Sequence, residues 1–235
     1  MGRALIVVPT YNERDNVVEV VERFLAAAPE AELLFVDDNS PDGTGELLDQ
    51  LAAEDQRVHV LHRAGKLGLG TAYLDGFRWG LARGYEYLLE MDADFSHDPQ
   101  YLPELLRLAR DGADVVIGSR YVDGGGTENW GVGRKMISRG GSLYARTVLG
   151  VKVRDLTSGF ICYRRRALEA IDLDAVRSNG YSFQIEMKYR AIRAGLTLVE
   201  TPIIFVDRRV GQSKMSRAIF VEALGMVWKL RLGRV

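Results

Sequence analysis

The sequence predicts an α/β domain built on a mostly parallel central sheet with helices on both faces. Three observations lead there. Short, near-continuous apolar runs rich in β-branched residues recur along the chain, the composition of strands buried on both faces. Segments with apolar residues at helical spacing separate them, so strand and helix alternate. Polar clusters follow one strand after another, at the edge where an open α/β sheet binds its ligands.

The first strand is Ala4–Val8, closed by Pro9, and the stretch from Asn12 to Ala28 sets Val17, Val20, Val21, Phe24 and Leu25 on one helical face. Glu32–Val36 and Val58–Leu61 are the next two strands, and a helix is predicted from Thr71 to Arg83. Tyr87–Met91 is the fourth strand, Pro99–Arg110 a helix, and Asp114–Ile117 the fifth strand. The glycines from Gly124 to Gly133 read as a mobile loop. Beyond it Met136, Ile137, Leu143, Tyr144, Val148 and Leu149 recur at helical spacing beside Arg139, Arg146 and Lys152. The last stretch sets Ile219, Phe220, Leu224 and Val227 against Arg217, Lys229, Arg231 and Arg234. Two units are therefore expected: a domain over 1–209 and a basic amphipathic tail over 210–235 that lies on a membrane without spanning it.

Composition narrows the function classes. The 235 residues hold 31 Lys and Arg against 32 Asp and Glu, a formal net charge of −1, so no global field marks a nucleic-acid binder. Hydrophobic residues at 47% and charged residues at 27% are ordinary globular usage and exclude disorder, collagen and coiled coil. Cys162 is the single cysteine, which excludes an internal disulfide and fits a reducing, cytoplasmic setting. The opening apolar run ending at Pro9 is too short for a signal-peptide core, and no stretch reaches the length of a membrane span.

The clusters carry the chemistry. They are Pro9-Thr-Tyr-Asn-Glu13, Asp37-Asp-Asn-Ser-Pro-Asp-Gly43, Asp92-Ala-Asp-Phe-Ser-His-Asp-Pro99 and Gly118-Ser-Arg-Tyr121. Asp92-x-Asp94 is the most pointed pair: two residues apart in an extended segment face the same way, so both carboxylates can reach one Mg²⁺ or Mn²⁺ whose remaining positions substrate phosphates fill. The lack of a His/Cys cluster argues against zinc. His97, before Asp98-Pro99, reads as a residue at the start of a helix. Arg134 and Ser138 are four apart and share a helical face.

With these blocks the chain resembles the inverting family 2 glycosyltransferases of the GT-A nucleotide-sugar-binding fold, and among them the polyprenyl-phosphate (dolichyl-phosphate) mannose synthases. The resemblance runs from Val8-Pro-Thr-Tyr-Asn-Glu13 through Arg63-Ala-Gly-Lys-Leu-Gly-Leu-Gly-Thr-Ala72, Asp155-Leu-Thr-Ser-Gly-Phe160 and Gly180-Tyr-Ser-Phe-Gln-Ile-Glu-Met187 to Gly211-Gln-Ser-Lys214. One departure is Ile161, where the pattern usually has Arg. The resemblance implies transfer of mannose from GDP-mannose to a polyprenyl phosphate with inversion. It implies that Pro9, Tyr11, Glu13, Val36 and Asp38 hold the nucleoside and that Asp92, Ala93 and Asp94 hold the diphosphate and its metal, with Ser96 a further metal ligand. It assigns Arg120, Arg134, Ser138, Arg208 and Lys214 to the phosphates: Arg208 and Lys214 on the donor side, and Arg120, Arg134, Ser138 and Arg208 around the acceptor phosphate. Asp94, Arg120 and Arg134 are then the catalytic residues.

An acceptor phosphate is already ionised at pH 7 and needs no general base, and the Gln-x-x-Arg-Trp block of related enzymes acting on hydroxyls is missing. Peripheral contact with the cytoplasmic face of a membrane follows as an expectation, with room for an assisting protein subunit. Other readings stay open. UDP-glucose or another activated sugar could replace the donor, and the chain could be a non-catalytic binder of polyprenyl phosphate. Gly68-Leu-Gly-Thr-Ala-Tyr73 is an isolated approximation to a dinucleotide-binding loop, in the wrong place after the third strand.

Overall fold

A computed structural model describes residues 2–178, 180–207 and 217–233. The strands are β1 (Ala4–Thr10), β2 (Ala31–Asp37), β3 (Val58–His62), β4 (Tyr87–Glu90), β5 (Val115–Ser119), β6 (Gly126–Glu128), β7 (Ile161–Arg164), β8 (Leu198–Pro202) and β9 (Ile204–Val206). The helices are α1 (Val17–Ala27), α2 (Thr44–Glu54), α3 (Leu69–Ala82), α4 (Leu102–Arg110), α5 (Val132–Leu149), α6 (Arg165–Ala170), α7 (Gly180–Arg193) and α8 (Arg217–Arg231).

Seven strands form the main sheet in the order β3-β2-β1-β4-β7-β5-β8, all parallel to their neighbours except β7, which runs antiparallel between β4 and β5. Alternation along β1 sorts the core. Leu5 and Val7 point into one layer with Tyr73, Phe77, Phe183 and Leu149, while Ile6 and Val8 point into the other with Val20, Phe24, Leu102 and Leu106. Helices thus cover both faces, which is why the strands read as unbroken apolar runs. Helix α3 lies close on the sheet: a Cβ on Gly76 would sit 2.4 Å from Val7 Cγ1, so only glycine lets helix and strand approach there.

Several boundaries differ from expectation for local reasons. Helix α1 begins at Val17, not Asn12, because Asn12 is left-handed (φ 60°) and residues 13–16 form a turn. The loop expected at 124–133 holds β6, paired in parallel with β9, and a buried Trp130. Ile161, the departure from the family pattern, is a buried strand residue paired with Glu90 and Ile117. The expected tail is not separate from the domain where it is described: α8 packs on α5 and α7, with Val227 and Leu230 in the core, while Trp228 is 52% exposed.

Candidate active site

The carboxyl ends of β1, β2 and β4 meet at one cavity of about 370 Å³. Its floor at the first two strands is fixed by hydrogen bonds. Asp37 is buried and accepts from Thr10 Oγ1 (3.1 Å), Ser40 N (3.0 Å) and Ser40 Oγ (2.6 Å), so it ties β1 to the turn after β2. Its neighbour Asp38 lines the cavity and accepts from Arg63 Nη1 at 2.7 Å, in a pair that is almost wholly buried. Arg63 Nη2 donates to Thr71 Oγ1 (2.6 Å), locking the Arg63–Thr71 segment under the same wall. Lys66 places its ammonium 3.9 Å over the Tyr11 ring, a cation–π contact at the cavity edge.

Past β4 the Asp92–Asp94 pair sits in a turn, not in an extended segment, yet both carboxylates line the cavity. Phe95 is left-handed (φ 59°), an uncommon conformation for a bulky residue, and it folds Ser96 back onto Asp94. Asp94 Oδ1 accepts from Ser96 N at 3.0 Å and from the Ser96 hydroxyl. Ser96, expected as a metal ligand, is buried and donates to Asp94 from both its backbone N–H and its hydroxyl, so it orients that carboxylate. Asp92 Oδ1 accepts from the Tyr73 hydroxyl (3.1 Å).

Beyond the carboxylates the cavity runs to Arg120, Arg134 and Ser138. Arg120 Nε and Nη2 donate to the two oxygens of Asp155, each at 2.7 Å, and Nη2 also donates to Thr157 Oγ1. Burial opposes ionisation of Asp155, but the Arg120 charge and its hydrogen bonds hold the carboxyl below the usual range. Arg134 donates to Asp207 at 2.6 Å and lies 4.1 Å over the Trp130 ring. The Tyr121 hydroxyl donates to Ser138 Oγ (2.7 Å). Ile137, Tyr144, Leu224 and Val227 continue the wall as an apolar extension between α5 and α8.

The architecture and the sequence agree on a family. The sequence profile described as Glycosyl transferase family 2 matches residues 5–172. The chain belongs to that family. An undecaprenyl-phosphate mannosyltransferase of Micrococcus luteus is 54% identical over 222 residues, covering 94% of this chain and 91% of the relative. A polyprenol monophosphomannose synthase of Mycolicibacterium smegmatis is 52% identical over 232 residues, 97% of this chain and 88% of the relative. Among solved structures, glucosyl-3-phosphoglycerate synthase from Mycobacterium tuberculosis, in complex with Mn²⁺, UDP and glucosyl-3-phosphoglycerate, has a TM-score of 0.67 at 19% identity over 99% of this chain and 80% of that one. The fold is thus that of the GT-A glycosyltransferases, and the chain is a glycosyltransferase.

This family 2 glycosyltransferase gathers most of the expected residues. Pro9, Tyr11, Glu13, Asp38, Asp92, Ala93, Asp94, Arg120, Arg134 and Ser138 all line the one cavity. Val36 does not: its side chain is core packing against α3, so any contact with a nucleoside would come from its backbone. Arg208 and Lys214 lie outside the described residues. The donor set suits a hard cation, two carboxylates with no thiol or imidazole pair. Among the described residues no group of three or more His, Cys, Asp or Glu could hold a metal ion, so a cation on the two carboxylates would complete its shell with oxygens of water or substrate.

Sequence reasoning missed His97. The start of the helix is capped by Asp98, whose side chain accepts from Gln100 N, while His97 is buried in the cavity wall between Phe160 and Phe205. Burial pushes its pKa down to about 4, so the ring is neutral at pH 7. Its Nδ1 is 3.9 Å from Asp92 Oδ2. Also missed were Asp155, Trp130 and Gln184. The signal for Asp155 was present in the Asp-Leu-Thr-Ser-Gly-Phe block, but its partner Arg120 is 35 residues away.

Proposed function

We propose that this glycosyltransferase moves mannose from GDP-mannose onto the phosphate of a polyprenyl phosphate, with inversion at the anomeric carbon. The observation that carries the reading is the cavity itself, which passes from two carboxylates, past two arginines, into an apolar channel opening beside an exposed apolar helix face. A phosphate carried on a hydrocarbon chain matches that sequence of surfaces. The names of the two relatives support the same acceptor class and the same sugar.

In this reading Pro9, Tyr11, Glu13 and Asp38 hold the nucleoside, and Asp92 and Asp94 hold Mg²⁺ or Mn²⁺ at the donor diphosphate. When bound, the cation neutralises the charge that gathers on the leaving diphosphate. Arg134, braced by Trp130 and Asp207, and Arg120, fixed by Asp155, draw the acceptor phosphate toward the sugar against the repulsion of the donor's own charges. An acceptor phosphate oxygen forms the bond to the anomeric carbon as the bond to GDP breaks, and the electron pair leaves with GDP. No side chain needs to take a proton. Burial pushes the His97 ring down and the Glu90 carboxyl behind the site up, toward the neutral form of each, which limits the charge they add beside a crowd of phosphates.

Membrane contact belongs to the same proposal. No helix among the described residues is long and apolar enough to cross a membrane. Val132, Met136, Ile137 and Leu143 on α5 are 48–72% exposed, with Lys135 and Arg139 exposed on the same helix, a surface that fits an anionic membrane interface. The test is incubation of purified protein with labelled GDP-mannose, Mg²⁺ or Mn²⁺ and a polyprenyl phosphate. Labelled lipid is the expected product. A panel including UDP-glucose checks the donor, and transfer from UDP-glucose in place of GDP-mannose overturns the donor assignment.

A further inference from the structure

Behind the cavity, α7 carries a lysine on its buried face. Lys188 is fully buried, and among the described residues no carboxylate lies within ion-pair distance of it. Its ammonium donates to three backbone carbonyls: Ser158 O at 2.7 Å, Leu156 O at 3.1 Å and Gln184 O at 3.4 Å. Two of the three belong to the loop between α5 and β7, which also contains Asp155, the partner of Arg120. One turn earlier on α7, Gln184 Nε2 donates to Glu90 Oε2 at 2.6 Å. Glu90 is the last residue of β4, two before Asp92.

We propose that Lys188 and Gln184 are positioning residues: α7 acts as a strut that holds the Asp155–Gly159 loop, and through it Arg120, in register with the strand that presents Asp92 and Asp94. The proposal rests on the reading of those carboxylates and Arg120 as the transfer site.

Three features make the strut necessary. The loop has no strand ladder of its own, and its ties to β5 and β8 gather at one side: Ser158 Oγ to Gly118 O (2.6 Å), Gly118 N to Phe160 O (2.8 Å), Arg120 to Asp155 and Thr157, and Glu200 accepting from Arg154 N and Asp155 N, so the side facing α7 is held by Lys188. A lysine gives up hydration when buried, and burial here pushes its pKa down to about 8. An aliphatic side chain of the same length would fill the space without that cost but would donate to no carbonyl, so the ammonium is explained by what it holds. Finally, the loop touches the cavity at both ends of the tie. Thr157 accepts from Arg120 at 2.8 Å, and Gly159 lies against Gln184 and His97, where an added Cβ would be 3.4 Å from Gln184 Nε2. Losing the ammonium frees a segment that contacts the acceptor side and leaves the nucleoside motifs alone.

The experiment compares Lys188→Met with wild type by three measurements. At saturating substrates, kcat per folded molecule is expected to fall at least tenfold, while GDP-mannose affinity by calorimetry stays within about twofold. Combined with Asp155→Asn, Lys188→Met should add little, because both act through Arg120. Hydrogen exchange at Arg120 Nε, followed by NMR of the side chain, should accelerate at least tenfold beyond what any change in global stability accounts for. An unchanged kcat, a donor affinity that falls in step with kcat, or additive losses in the double variant would each overturn the proposal. Where Lys188→Met does not fold, Lys188→Gln keeps two N–H donors near the carbonyls and is expected to show the same split at smaller amplitude. The exchange measurement needs no substrate, so it decides the strut even if wild-type protein makes no mannosyl lipid, a result that would overturn the function proposed above instead.

Discussion

The two ends of the cavity are built on different terms. At the nucleotide end, every acidic side chain that shapes the wall is held by protein donors: Asp37 by Thr10 and Ser40, Asp38 by Arg63, Asp94 by Ser96. At the transfer end the wall keeps buried polar atoms with no hydrogen-bond partner among the described residues, namely His97 Nδ1, Trp130 Nε1 and Gln184 Oε1. That end also borders large apolar side chains left in solvent on α5. The first end has its carboxylates paired before any ligand arrives, although Arg63 Nε, 3.2 Å from Asp75 Oδ2, makes no hydrogen bond. The other presents unmet hydrogen-bonding capacity and unburied apolar surface, the two deficits that an amphiphilic phosphate and a membrane would supply.

The largest expected effect tests whether the nucleotide end is preformed. Asp94→Ala should abolish transfer, by ~10³-fold or more, with little change in melting temperature, because the carboxylate supports ligands and not the core. Chelation of divalent ions should do the same to wild type, and undiminished turnover in excess EDTA would remove the metal from the scheme.

Next in size is a change that strikes the fold at the transfer end. Asp155→Ala leaves the Arg120 guanidinium buried without its carboxylate, a loss of about 3–5 kcal/mol of stability by denaturant unfolding. The same pair sets an acid limb. Since Asp155 ionises below its unfolded range, its contribution is complete above pH ~4, the unfolded value, and disappears as pH drops through the folded one. An Asp155→Asn variant should therefore show a flatter stability profile than wild type below pH ~4, and parallel profiles would show the pair to be energetically silent.

Arg134 sharpens the boundary between the ends. Arg134→Ala should cost about 2–4 kcal/mol in kcat/KM for the acceptor, and Arg134→Lys less, with donor binding unchanged in both. If calorimetry shows the alanine variant no longer binding GDP-mannose, Arg134 belongs with the carboxylates and the division drawn here is misplaced. The smallest effect concerns the outer surface. Replacing Met136 and Leu143 together by Gln should lower partition onto anionic liposomes by roughly tenfold, at about 1 kcal/mol or less for each side chain, without altering donor affinity. Unchanged partition would point to a different docking face.

What the sequence disclosed follows the same division. Strands β1, β2, β4 and β5 were legible because both of their faces are buried, so their central positions are apolar in unbroken runs. Strand β7 was not, since Ile161-Cys-Tyr-Arg164 is four residues long and ends in an arginine, and β6 and β9 are three residues each. At the site, Asp92 and Asp94 stood out by residue type and by their place after β4, although the extended geometry inferred from their spacing is a turn. His97, Asp155 and Gln184 could not, because their meaning lies in partners brought close by the sheet: Gln184 meets Glu90 across 94 residues, and nothing local marks either.

The antiparallel β7 also sets an order of assembly. During synthesis β3, β2, β1 and β4 can pair as soon as they emerge, since each finds its native neighbour among residues already made. Strand β5 cannot. It leaves the ribosome more than forty residues before β7, the strand that lies between it and β4, so it waits beside an incomplete sheet with Val115, Val116 and Ile117 uncovered. Non-local closure of this kind is slow and exposes strand edges to wrong partners. The half of the molecule that the proposed function assigns to the acceptor is therefore also the half expected to close last, with the interval between β5 and β7 the nascent chain's most exposed stage.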